Sequence, residues 1–376
     1  MTKEEKYRLW LNFAVKADYN MQNKLLNMFG SASEIFNSVD MPEIAQLVGM
    51  ERANKIKSSA SEAYIDKCLN YLANKNIKAV TLVSDDYPKL LKNIDDPPFV
   101  LYYKGRLESE IKLPIAMIGS RVCSEYAKSV TTMISSALCD NGACIISGMA
   151  LGIDGEAAKA ALSTKSDYPT VAVLGCGVDV VYPDKHLKLY HEIIERGAVI
   201  SEFLPGTGVE KWHFPFRNRI ISGLSLGVVV TEAREKSGTS ITVGKALEQG
   251  RDVFIVPGRI TDSMCKGSNA MLRDGYAKLI FGAEEILSEY GIKINEHKEK
   301  QKHEVRELKL SEMLVCKLLQ VSERSFDELA VMTGMDMSNL NSVLTDLEFS
   351  GIIKQLPGRI YEIMPEFDFL DNERQW

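Results

Sequence analysis

The chain has 376 residues, 45% hydrophobic and 26% charged, which fits an ordinary globular protein of two or three domains. No apolar run approaches the ~20 residues of a membrane helix, and the charged start Met1-Thr2-Lys3-Glu4-Glu5-Lys6 lacks the apolar core of a signal peptide, so a cytoplasmic location is expected. The net charge of −6 argues against a protein coated generally in nucleic acid, and seven cysteines without a C-x-x-C pair argue for reduced thiols over disulfides or zinc.

Residues 1–65 read as several short helices. Leu9, Trp10 and Phe13, then Leu25, Leu26, Met28 and Phe29, recur at helical spacing, and Gly30-Ser31 and Val48-Gly49-Met50 punctuate them. The pattern suits a small SAM-like helical domain or a purely structural one. Residues 66–110 hold a helix from Cys68 to Leu72 and two strands, Ala79–Val83 and Phe99–Tyr103, around the turn Asp96-Pro97-Pro98. They read as an extension packed on the next domain.

From 113 to 290 the pattern repeats as strand, loop, helix. Short apolar runs at Ile115–Ile118, Cys144–Ser147, Val171–Leu174, Ala198–Ile200, Gly227–Val230, Val253–Val256 and Lys278–Phe281 are what parallel strands buried on both faces require. The fold class expected is α/β, a Rossmann-like doubly wound, mostly parallel sheet in a domain spanning 66–290. Residues 291–308 are highly charged and read as a linker. Residues 309–376 give three short helices and a hairpin around Pro357-Gly358, a winged-helix-like domain. Its recognition-helix equivalent, Met337–Phe349, carries Asp346 and Glu348 and no Lys or Arg, which argues against base reading.

Ligands of a doubly wound sheet bind outside the carboxyl ends of the strands. There the chain places Gly119-Ser120-Arg121, Ser147-Gly148, Gly175-Cys176-Gly177 and Ser237-Gly238-Thr239. Glycines allow close backbone approach, and their N–H groups can cradle phosphate. The segment Phe214-Pro215-Phe216-Arg217-Asn218-Arg219-Ile220-Ile221 reads as a helix beginning near Pro215, with Arg217 and Arg219 in its first turn. Guanidinium groups there oppose the helix dipole unless an anion binds. Residues 211–273 hold ten basic and five acidic side chains, a local positive patch. Familiar phosphate motifs do not fit. Gly238 to Ala246 is one residue too long for a P-loop and lacks its final Ser or Thr. Gly175-Cys176-Gly177 has Val180 where a dinucleotide fingerprint needs glycine. No nucleophile elbow, metal set or acid–base pair stands out, so no enzyme and no cofactor are expected.

Taken together, Ile118-Gly119-Ser120-Arg121, Ser147 to Asp154, Val173 to Pro183, Phe214 to Ser225, Ser237-Gly238-Thr239 and Glu248 to Gly258 resemble the DprA/Smf DNA-processing proteins of bacteria, in order and spacing across roughly residues 115–285. The resemblance implies a single-stranded DNA-binding protein that protects incoming DNA, helps load the RecA recombinase during natural transformation, and dimerises through its Rossmann-like domain. It implies DNA contacts at Arg121, Arg217, Asn218 and Arg219, with Lys211 and Phe214 adding a backbone contact and a stacking face. Gly119, Ser120, Ser147, Gly148, Gly175, Gly177, Ser237, Gly238 and Thr239 would supply backbone and hydroxyl donors. The segment from Ile260 to Leu272 would lie near the dimer surface. Many relatives carry arginine at Leu151 and histidine at Ala158, so this chain has fewer polar groups near the pocket. Two other readings compete: a nucleotide-cleaving enzyme, whose catalytic glutamate is missing from the loop around Ser237-Gly238-Thr239, and a nucleotide sensor that signals through the C-terminal module.

Overall fold

The structure, a computed structural model, describes residues 1–292, 308–364 and 367. The expected linker 291–308 lies almost wholly outside the described residues. The chain divides into two compact units, Met1–Asn295 and Glu296–Trp376.

The first unit is built on a nine-stranded sheet. Its strands in chain order are β1 (Lys78–Thr81), β2 (Val100–Gly105), β3 (Pro114–Ile118), β4 (Cys144–Ser147), β5 (Thr170–Val173), β6 (Ala198–Ser201), β7 (Gly227–Val230), β8 (Asp252–Ile255) and β9 (Lys278–Leu279). Their spatial order is β1-β2-β6-β5-β4-β3-β7-β8-β9. The seven strands from β6 to β9 in that order run parallel. The expected extension joins the same sheet through antiparallel β2–β6 and β1–β2 pairs. Every residue of β3 to β7 is buried, as strands covered by helices on both faces must be. The period of two is visible along β3. Ala116 and Ile118 enter the core on one face with Val171, Val173, Val228 and Val230. Ile115 and Met117 enter the other with Val229, Phe254, Ile134 and Leu138. Each of the larger side chains among them, the Val, Ile, Leu, Met and Phe, contributes about 1.5–3 kcal/mol of burial.

This winding places the site. The chain goes from β3 to β4 on one side and returns to β7 on the other, so β3 and β7 flank the topological switch point. Ile118 is in register with Val230, which brings Gly119 level with Thr231. The strand ends are tied together where Ser120 N–H donates to the Glu232 carbonyl at 3.0 Å.

Six helices precede β1. Trp10, Leu11, Leu25, Ile35, Ile44 and Ile56 form their own core, and the buried Trp10 indole donates to the Ser59 carbonyl at 2.9 Å. Leu9, Leu72, Ile77, Val100 and Tyr102 fasten them to the sheet, with Tyr102 Oη donating to Asn12 Oδ1 at 2.7 Å.

In the second unit, helices Leu310–Val321, Phe326–Thr333 and Met337–Phe349 precede a hairpin, Ile353–Leu356 with Ile360–Ile363. The turn between the two strands uses Gly358 at φ 89°. A short strand at Arg324–Ser325 pairs with the second hairpin strand, completing a winged helix around Leu329, Leu340, Leu344 and Leu347.

Candidate nucleic-acid interface

A cleft of about 800 Å³ opens at the switch point. The loop after β3 contributes Gly119, Ser120 and Arg121. The helix His213–Gly223 and the residues before it contribute Lys211, Phe214, Arg217 and Asn218, and the loop after β7 contributes Ser237, Gly238 and Thr239. Ten expected site residues thus share one cavity. Gly148 and Gly175 line a side pocket of about 70 Å³ that Arg121 and Phe214 border from the cleft. The Arg121 guanidinium stands 5.1 Å from the Phe214 ring centre, a cation–π arrangement that joins a phosphate-binding group to a stacking face.

Arg217 is the buried cation of this cleft, only 4% exposed. One of its terminal nitrogens donates to the Val173 carbonyl at the end of β5, while Nε has no hydrogen-bond partner. Burial pulls its pKa down to about 10, against the Asp154 carboxylate, which raises it. A methyl group at Gly148 would sit 2.6 Å from the guanidinium carbon, so this glycine is the space in which Arg217 lies. Asp154 opens the helix Ile153–Ser163, lines the cleft and accepts the Gly148 N–H at 3.0 Å. Burial holds its carboxyl above the usual range, with Arg217 and the backbone donors opposing.

Three expected site residues lie elsewhere. Arg219, 1% exposed, grips Glu202 with both terminal nitrogens at 2.6 and 2.7 Å, pairs with Asp96 at 3.0 Å and stacks 4.1 Å over Phe216. Its charge is spent inside the fold, so it is a structural clamp and not a wall of the cleft. Ser147 is fully buried, and its backbone-facing hydroxyl serves the turn, accepting Met149 N–H at 3.4 Å. Gly177 N–H donates to the Thr207 carbonyl at 2.9 Å, and a Cβ there would press on Gly206 and Leu204. Packing explains that glycine. The helix itself also begins earlier than its sequence suggests, at His213, which puts Pro215 in its first turn and Arg217 beyond it. The dipole reason for expecting an anion at Arg217 therefore falls. The helix end that does reach the cleft is that of Thr239–Glu248, with Thr239 N–H held by Ser237 Oγ at 3.2 Å.

Four residues outside the expected contacts also line the cleft: Asp154, Tyr182, Arg234 and Lys236. Lys236 directly precedes Ser237 and Arg234 lies three residues before it, with Glu235 between the two, and their charge is the available signal. The lining thus holds five cations (Arg121, Lys211, Arg217, Arg234, Lys236) against one acid (Asp154). Among the described residues no group of three or more His, Cys, Asp or Glu side chains could hold a metal ion, and no helix is long and apolar enough to cross a membrane.

A Rossmann-like sheet with a cation-lined cleft at its switch point defines a doubly wound α/β protein whose cleft lies where such folds bind ligands. Residues 78–291 match the family model of DNA recombination-mediator protein A, and residues 304–359 match the DprA winged helix domain. The chain is 38% identical to DNA processing protein DprA of Bacillus subtilis over 241 residues, covering 63% of this chain and 80% of the relative. It is 43% identical to that of Streptococcus pneumoniae over 212 residues, covering 56% and 73%. The crystal structure of the Streptococcus pneumoniae protein superposes with a TM-score of 0.62 at 34% identity, covering 75% of this chain and 97% of the other. DNA processing protein A from Helicobacter pylori, described for its single-stranded DNA binding mode, gives 0.51 at 30% identity, covering 57% and 95%. The chain belongs to the DprA/Smf family of DNA-processing proteins.

Proposed function

We propose that the switch-point cleft binds single-stranded DNA through its phosphates, with little regard to sequence, and that the protein protects the strand and helps load the RecA recombinase without cutting it. The observation that carries this reading is the convergence of five cations from three separate segments on a cleft with one acid. Phe214 and Tyr182, whose ring centres are 5.6 Å apart, offer faces on which any base can stack. The Helicobacter pylori relative is described as binding single-stranded DNA, which supports the same ligand here.

The absence of cutting rests on the carboxylates. Glu232, at the end of β7, is fully buried and accepts the Ser124 hydroxyl at 2.6 Å and the Ser124 N–H at 3.3 Å, so it is engaged as a tether and not free as a base. Asp154 is occupied by Gly148 N–H and faces Arg217. Release of base from nucleoside monophosphates by the purified protein would restore the nucleotide-cleaving alternative.

A homodimer through the Rossmann-like domain is part of the proposal. It is supported by apolar side chains at and beside the edge strand β9: Leu279, and Phe281 at 70% exposure. The test of DNA binding is a titration of oligothymidine at two salt concentrations. Each phosphate contact adds about −0.7 to the slope of log K against log salt, so Arg121→Ala and Arg217→Ala are each expected to flatten it by about that amount. Unchanged affinity and slope in both variants would remove the reading.

A further inference from the structure

A second cleft of about 990 Å³ lies between the helical region and the loop after β6. It shares a wall with the first. On the helix His213–Gly223, Phe214, Arg217, Asn218 and Ile221 line the first cleft, at spacings of three, four and seven. Trp212, His213 and Phe216, at spacings of one and four, line the second. One helix start therefore presents a different face to each cavity, and Lys211 and Trp212 stand side by side at the ridge between them.

The second cleft has the chemistry of a strand-binding surface. Trp212 is 62% exposed, with the Phe203 and Phe216 rings 6.1 and 6.5 Å from its indole. Exposed Arg52 and Lys16 line it, and both act at a distance on Glu51 while forming no ion pair within 4 Å among the described residues. The acids there are mostly matched: Glu202 by Arg219, and Glu51 by Lys55 at 2.7 Å. Asp18 caps the helix Tyr19–Phe29 through Met21 N–H. The turn at Lys16-Ala17, in the lining, holds two consecutive non-glycine residues at φ 55° and 57°, a conformation L-residues rarely adopt twice in succession.

We infer that single-stranded DNA bound in the first cleft crosses the ridge at Lys211 and continues into this second cleft, where a base stacks on Trp212 and Arg52 and Lys16 hold the backbone. The inference rests on the proposed function, since the occupant is the same strand. Continuity through the shared helix argues for DNA over a different partner, and the near-balanced charge makes stacking the larger contribution.

The test compares short and long oligothymidines, about 6 and about 20 nucleotides, chosen to fill one cleft or both. Trp212→Ala and Arg52→Glu alter exposed side chains, so the fold is expected to survive. Both variants should bind the short oligomer as the wild type does and the long one at least fivefold more weakly, the scale of one lost stacked base. In a Trp376→Phe chain, the fully buried Trp10 gives a constant background and the exposed Trp212 is the one indole that a bound strand can reach. Its fluorescence should be quenched by the long oligomer and not by the short one. Wild-type affinity for the long oligomer in both variants, with Trp212 unquenched, would overturn the second cleft and leave the first intact. So would equal losses at both lengths, which would assign the tryptophan to the shape of the first cleft. Failure of the wild type to bind either length would instead remove the proposed function itself.

Discussion

At the scale of single residues, the cleft is set by a buried cation and a buried acid. Asp154 has its pKa raised by burial, so it takes up a proton at a higher pH than a free aspartate. A carboxyl raised in the folded state contributes stability below its unfolded pKa and loses it as pH rises through the folded value. The same proton matters for DNA. As pH falls through the Asp154 pKa, the only acid of the cleft is neutralised and oligothymidine affinity should rise. Above the pH at which Asp154 ionises, Asp154→Asn should bind about two- to fivefold more tightly than the wild type, the order of a single like-charge repulsion near a surface, and its affinity should lose that pH dependence. Arg219 makes a different prediction. Glu202→Ala would leave its guanidinium buried with only Asp96 opposite, and breaking a buried pair from one side costs about 3–5 kcal/mol. Urea unfolding should show a loss of that size.

At the scale of elements, the helix His213–Gly223 is held from three directions, and each tie has its own sequence distance. Arg219 reaches Glu202, 17 residues back, and the Asp96 carbonyl, 123 residues back, while Arg217 reaches Val173, 44 residues back. This explains what could be read in advance. The strands were legible because burial on both faces writes a short apolar run into the chain, and Gly227–Val230 and Cys144–Ser147 fall where those runs lie. The glycine and arginine clusters were legible because strand ends in this fold face a ligand. The fate of Arg219 was not, since nothing near it in sequence announces Glu202 or Asp96. The helix starts at His213 and not near Pro215 because a proline is tolerated anywhere in a first turn, where the missing N–H has no partner to lose. Gly148→Ala tests the packing of this helix against the β4 end. The methyl group would displace the Arg217 guanidinium, and oligothymidine affinity should fall about as far as in Arg217→Ala. Thermal melting should change by less than it does for Glu202→Ala, because the displaced group is the far end of a side chain.

At the scale of the whole molecule, function is divided unequally. All five cations of the cleft belong to the first unit. The second unit carries no Lys or Arg on Met337–Phe349, the helix that would enter a groove. A chain ending at Asn295 should therefore keep the oligothymidine affinity and salt slope of the full chain, within the error of a parallel titration. The sheet edge gives the complementary prediction. Phe281→Glu should disrupt the proposed homodimer, leaving a monomer in sedimentation velocity, while binding to a short oligomer persists. The clamp around Arg219 has a consequence for how the strand arrives. Because that ion-pair network holds the helix beside the cleft before any strand binds, little backbone ordering of the protein is expected on the proposed capture, and most of the ordering should fall on the DNA. A preformed surface of this kind associates at a rate governed by long-range attraction more than by rearrangement. Salt should therefore slow association, and amide exchange along His213–Gly223 should be nearly the same in the free and bound protein.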